Sequence, residues 1–126
     1  MTLVLDAGAL VAVERADRDV VALIKQELSA GRSPVTHGGV VGQVWRGGGG
    51  RGARLARLLP GLDIRPLDAA LGRQAGVLLG KARHADVVDA ALSLLAADGD
   101  MILTSDAGDV VPLVRAAGAH VDVVGV

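Results

Sequence analysis

Two short apolar runs in this chain end in aspartate: Leu3-Val4-Leu5 runs into Asp6, and Ile102-Leu103-Thr104-Ser105 runs into Asp106. Short apolar runs bounded by turn-forming residues, with longer helical periodicity between them, suit the buried strands of a parallel sheet. Ligands of open α/β sheets bind beyond the carboxyl ends of the strands. If these two strands are neighbours, Asp6 and Asp106 stand side by side where such a ligand would sit.

The intervening sequence repeats the alternation. Ala7 to Glu14 is compatible with a helix. Asp17 is placed to cap the next one, in which Val20, Val21, Leu23, Ile24 and Leu28 form an apolar stripe that ends at Gly31. Ser33 to Thr36 begins a second strand, and Gly38 to Trp45 reads as a helix although each interior glycine costs about 1 kcal/mol relative to alanine. Then come a short helix over Ala53 to Leu59 and an edge strand over Leu62 to Pro66. A helix capped by Asp68 runs through Lys81, and another spans Asp86 to Ala97. A strand over Met101 to Ser105, a helix capped by Asp109 and ending at Ala117, and a last strand over Val121 to Val124 complete the chain.

The order predicts one α/β domain over residues 1–126. Its form is a three-layer α/β/α sandwich around a central parallel sheet of about five strands. Trp45 is the one aromatic residue although 51% of the chain is hydrophobic. The core must therefore be Val, Leu, Ile and Ala, as in helices laid on a parallel sheet.

A formal net charge of -1 excludes a generally basic nucleic-acid binder. Contact with a polyanion must come from a local patch, and Arg46, Arg51, Arg54 and Arg57 form a basic run uninterrupted by acids. That run suits a phosphate-contacting rim or a surface for an acidic partner. The absence of cysteine excludes disulfides, thiolate zinc sites and a cysteine nucleophile, and makes a cytoplasmic location the simplest expectation. No uncharged apolar stretch reaches the roughly 18 residues of a membrane span. The glycine run from Gly47 to Gly50 predicts an adaptable surface loop, and without a following Gly-Lys-Ser/Thr it is no phosphate-binding P-loop.

Asp6, the pair Asp86 and Asp89, Asp106 and Asp109 stand at strand ends or helix starts. Two carboxylates about 4 Å apart repel by about 4 kcal/mol at an effective dielectric near 20. Several in one cleft need a cation or a shared proton. Oxygen donors without sulfur favour Mg²⁺ or Mn²⁺, and the chemistry such a site supports best is phosphodiester hydrolysis. Asp86 and Asp109 have a second use as helix caps. His37 and His84 read as surface residues, and Trp45 as core or interface.

Asp6 after the first strand, Asp-Val-Val-Asp-Ala-Ala from Asp86, and Leu-Thr-Ser-Asp-Ala-Gly-Asp from Leu103 together resemble the PIN domain (PilT N-terminus) family. The short VapC-type toxins of toxin–antitoxin pairs are similar over essentially the whole chain. The resemblance implies a PIN fold and a Mg²⁺- or Mn²⁺-dependent endoribonuclease, usually a homodimer held inactive by a cognate antitoxin. Asp6, Asp89 and Asp106 match the family's acids, with Asp86 and Asp109 as further metal ligands. Where the family carries a glutamate on the helix after the second strand, this chain has Gln43, whose amide can ligate but brings no charge and cannot act as a base. The alternative is therefore a catalytically weakened or inactive PIN-fold protein that binds RNA or a protein partner. A receiver-like phospho-acceptor domain fits less well, because the N-terminal acid is not paired with a second and no lysine follows the last strands.

Overall fold

Strands β1 (Leu3–Leu5), β2 (Val35–His37), β3 (Asp63–Arg65), β4 (Met101–Thr104) and β5 (Asp122–Gly125) form one sheet in the order β3-β2-β1-β4-β5. Every pairing is parallel. The structure is a computed structural model that describes all residues except Gly48 and Gly49, and all side chains of the rest except that of Arg51. The chain builds outward from β1 through β2 to the edge strand β3, then returns to lay β4 against the other side of β1. That reversal makes the carboxyl ends of β1 and β4 the switch point, where open α/β sheets bind ligands.

Seven helices cover the sheet among the described residues: α1 (Ala7–Glu14), α2 (Arg18–Ser29), α3 (Gly38–Val44), α4 (Ala53–Leu58), α5 (Ala69–Ala82), α6 (Val87–Leu94) and α7 (Ala107–Ala116). Helix α1 packs with α2, α3 and α4, while α5, α6 and α7 pack with one another. The main core joins the fully buried Leu3, Leu5, Leu10, Ile102 and Leu103 to Leu92 and Val110. A second cluster of Ala75, Leu78, Ala90, Ala91 and Leu113 holds α5, α6 and α7 together. Burying each Leu or Ile contributes about 1.5 to 3 kcal/mol.

The caps read from the sequence are present at Asp17, Asp68 and Asp86, each accepting hydrogen bonds from first-turn amides. Two helix boundaries differ by three residues. Helix α6 stops at Leu94, because Asp100 accepts from Ala97 N and Gly99 takes a φ of 87° in the turn that leads into β4. Helix α7 starts at Ala107, so Asp106 rather than Asp109 occupies the cap position and Asp109 falls within the first turn. The expected glycine loop falls partly on Gly48 and Gly49, outside the described residues; Gly50–Gly52 form a 3-10 turn. Among the described residues no helix is long and apolar enough to cross a membrane.

Candidate metal centre

Asp6 follows β1 directly and is 5% exposed. Its Oδ1 caps α1 by accepting from Ala9 N at 2.9 Å, and its Oδ2 accepts from the Thr104 hydroxyl and from Ser105 N at 3.2 Å. The β1–β4 register, Leu5 beside Leu103, places Thr104 next to Asp6. The buried Thr104 oxygen in turn accepts from Asp106 N at 2.9 Å. One threonine thus ties together the two acids at the switch point. Close approach here requires glycine, since a Cβ on Gly8 would lie 2.1 Å from Ser105 Oγ.

Asp89 comes from the opposite side, one turn into α6. Asp86 caps that helix by accepting from Val88 N and Asp89 N, so its side chain is committed to the helix start. One carboxylate oxygen from each of Asp89, Asp106 and Asp109 lies within 4.8 Å of the others. The start of α7 at Ala107 is what brings Asp109 into this group: Asp106 at the cap and Asp109 three positions later share a helix face. Ligand oxygens of an octahedral ion with bonds of about 2.1 Å stand about 3.0 Å apart when adjacent and about 4.2 Å apart when opposite. The three oxygens would have to draw closer to share one ion, and a set of carboxylates fits a hard divalent cation.

The electrostatics agree with that fit. Burial, then the charges of Asp86, Asp106, Asp6 and Asp109, push the Asp89 carboxyl up to about 6. Asp106 is held above its ordinary value first by hydrogen bonding with Asp109 and then by the like charge of that residue. His84 borders the cluster with Nε2 3.6 Å from Asp109 Oδ1, while its Nδ1 accepts from Asp86 N at 3.2 Å.

The other candidate residues lie elsewhere. Gln43 is exposed on α3 and lines a cavity of about 480 Å³ with Gly8, Arg15 and Ser105, beside Asp6 along the chain. Arg46 and Arg54 line a neighbouring cavity of about 890 Å³, and Arg54 and Arg57 one of about 610 Å³; none of these cavities is lined by the clustered acids. Arg46 donates to the carbonyls of Gly42 and Trp45, and Arg54 to that of Glu14. The side chain of Arg51 lies outside the described residues. Trp45 ends α3 and is 36% exposed rather than core. Glu14 and Glu27 lie outside the acidic cluster: Glu14 accepts from Leu55 N, and Glu27 pairs with Arg32.

His37 was expected at the surface and is fully buried at the end of β2. Its ring contacts Val88, a partner 51 residues away, and local periodicity carries no trace of that contact. The neighbouring pair Gly38-Gly39 was the available signal, because glycine where a helix begins marks a close approach.

No protein-family model matches the sequence, and no curated protein matches it. Among solved structures the chain is similar to one in the structure of FitAB bound to an IR36 DNA fragment. The match covers 98% of this chain and 94% of that one, with a TM-score of 0.62 and 17% identity. At that identity the likeness concerns the fold, which is PIN-like.

Proposed function

We propose that this protein is a Mg²⁺- or Mn²⁺-dependent endoribonuclease, acting as the toxin of a toxin–antitoxin pair. The observation that carries this is the convergence of Asp89, Asp106 and Asp109 beside the anchored Asp6 at the switch point of a PIN-like sheet. Asp89, Asp106 and Asp109 would hold the ion, and Asp6 would add a fixed negative charge at its edge. A divalent ion there supplies Lewis acidity toward a phosphodiester and a lowered pKa for an attacking water.

The chain's own groups provide the rest. Thr104 holds the Asp6 carboxylate and the Asp106 amide in one arrangement. Gln43 and Ser105 line the adjoining cavity, where an amide and a hydroxyl can hydrogen-bond to water or to RNA. Arg46, Arg54 and Arg57, along the α1 and α4 flank, would contact RNA phosphates or an acidic antitoxin segment, with Arg51 assigned to the same run from sequence alone. FitAB in the similar structure is bound to DNA, and an antitoxin partner for this chain is proposed by analogy. A homodimer in the cytoplasm belongs to the same reading.

Gln43 favours a second reading, a PIN-fold protein that binds RNA or a partner with little or no cleavage. Single-stranded and structured RNA incubated with Mn²⁺, Mg²⁺ or a chelator separates the two. Cleavage that requires the metal and falls by more than about a hundredfold in Asp106→Asn supports the nuclease. RNA binding with no cleavage under any metal supports the second reading.

A further inference from the structure

His37 is completely buried at the carboxyl end of β2, and both of its ring nitrogens are used. Gly39 N–H donates to Nδ1 at 3.1 Å, which leaves the proton on Nε2, 3.0 Å from the carbonyl oxygen of Val88. Burial pushes the ring below its ordinary pKa, partly opposed by the bond to Val88. The neutral ring satisfies both contacts at once. Val88 directly precedes Asp89 in the first turn of α6. Among the described residues, this is the one side-chain hydrogen bond between α6 and the sheet.

Gly39 gives a second, independent sign that the ring's place matters. A Cβ there would stand 2.9 Å from His37 Cε1, 3.1 Å from Nδ1 and 3.1 Å from a Leu67 methyl. The chain accepts a poor helix former at the start of α3, and the space it leaves is filled by the imidazole.

We propose that His37 is a positioning residue of the metal site: through the Val88 carbonyl it fixes the first turn of α6, and with it the placement of Asp89 against Asp106 and Asp109. This rests on the metal-dependent reading above and adds to it a residue that touches no ligand. A histidine that merely fills the core would affect stability and leave the acids alone.

The two nitrogens can be separated by substitution. His37→Asn keeps an acceptor for Gly39 N–H and loses the reach to Val88; His37→Gln places an amide donor near the former Nε2. Val20→Ala, in α2, serves as a destabilised control distant from α6. Two readouts are taken on the full chain: Mn²⁺ affinity by calorimetry, and amide hydrogen exchange over residues 87–91 without metal. His37→Asn is expected to weaken Mn²⁺ binding by about 10- to 100-fold, the usual range for residues that orient metal ligands. It should also speed exchange over residues 87–91 beyond any change in the control, with His37→Gln nearer to wild type in both. Gly39→Ala, which displaces the ring, should follow His37→Asn. Unchanged affinity and exchange in His37→Asn, or an equal loss in Val20→Ala, overturns the proposal. If the wild type binds no Mn²⁺, the metal-site reading fails by itself, and the exchange comparison alone then decides whether His37 holds α6 in place.

Discussion

Thr104 and Asp6 meet through a buried hydrogen bond in which the threonine hydroxyl donates to the Oδ2 of the carboxylate. Because the threonine Oγ1 itself accepts from Asp106 N, the hydroxyl couples the ends of β1 and β4. Thr104→Val keeps the shape and removes both bonds. It should cost about 1 to 3 kcal/mol, the penalty for a buried polar group losing its partner, measured by urea unfolding. Thr104→Ser should recover most of it. Equal stability of the Val and wild-type proteins would show that Asp6 needs no such anchor.

Gly8 sits on the other side of that junction. Alanine normally favours a helix over glycine, but here its methyl would meet the Ser105 side chain and backbone at 2.1 to 2.9 Å. Gly8→Ala should therefore destabilise by about 1 to 3 kcal/mol, the range for overpacking, where helix propensity alone predicts a gain. Thermal unfolding decides the sign.

Asp89 gives the metal-free protein a pH dependence of known sign. Its folded pKa, about 6, lies above the unfolded value of 3.8, so the stability it contributes is complete below pH 3.8 and is lost as pH rises through about 6. Discounted for solvent screening of a half-exposed group, the loss is on the order of 1 kcal/mol. Buried His37, with a lowered pKa, slopes the opposite way below its unfolded value of 6.5, so the comparison must isolate Asp89. Asp89→Asn should raise the stability of the metal-free protein at pH 8 and do so much less at pH 4. Added Mg²⁺ should stabilise wild type more at pH 8 than at pH 5, since the ion competes with the proton. A stability gap between Asp89→Asn and wild type that does not vary with pH would show that Asp89 feels no crowding by the other acids.

Gln43→Glu would add a charge to the cavity beside Asp6 and Ser105. On the proposed nuclease reading, Mn²⁺ affinity should rise by about tenfold, equivalent to about 1.4 kcal/mol, and RNA cleavage should rise with it. Calorimetry and a cleavage assay check the two effects separately.

Much of this arrangement was legible in the sequence because it depends on local chemistry. Asp17, Asp68 and Asp86 cap helices by bonding to amides two or three residues away, and apolar runs ending in Asp6 and Asp106 mark the sheet's switch point. What escaped the sequence depends on contacts between distant segments. Asp109 reads from local sequence as a helix cap, with the resemblance adding a ligand role, because the apparent start of α7 lies three residues late; with the helix starting at Ala107 it shares a face with Asp106. Local sequence gives no reason for Gly8 or Gly39, which face Ser105 and His37 at distances no Cβ tolerates. The burial of His37 follows from where α6 lands, which no periodicity near residue 37 encodes.

On the proposed reading, Asp89, Asp106 and Asp109 share one divalent cation. The most direct measurement is anomalous diffraction from a crystal soaked in Mn²⁺ at pH 8. A manganese peak about 2.1 Å from an oxygen of each of the three carboxylates is the predicted result. Ordered carboxylates with no peak among them, or a peak only at another site, would contradict it.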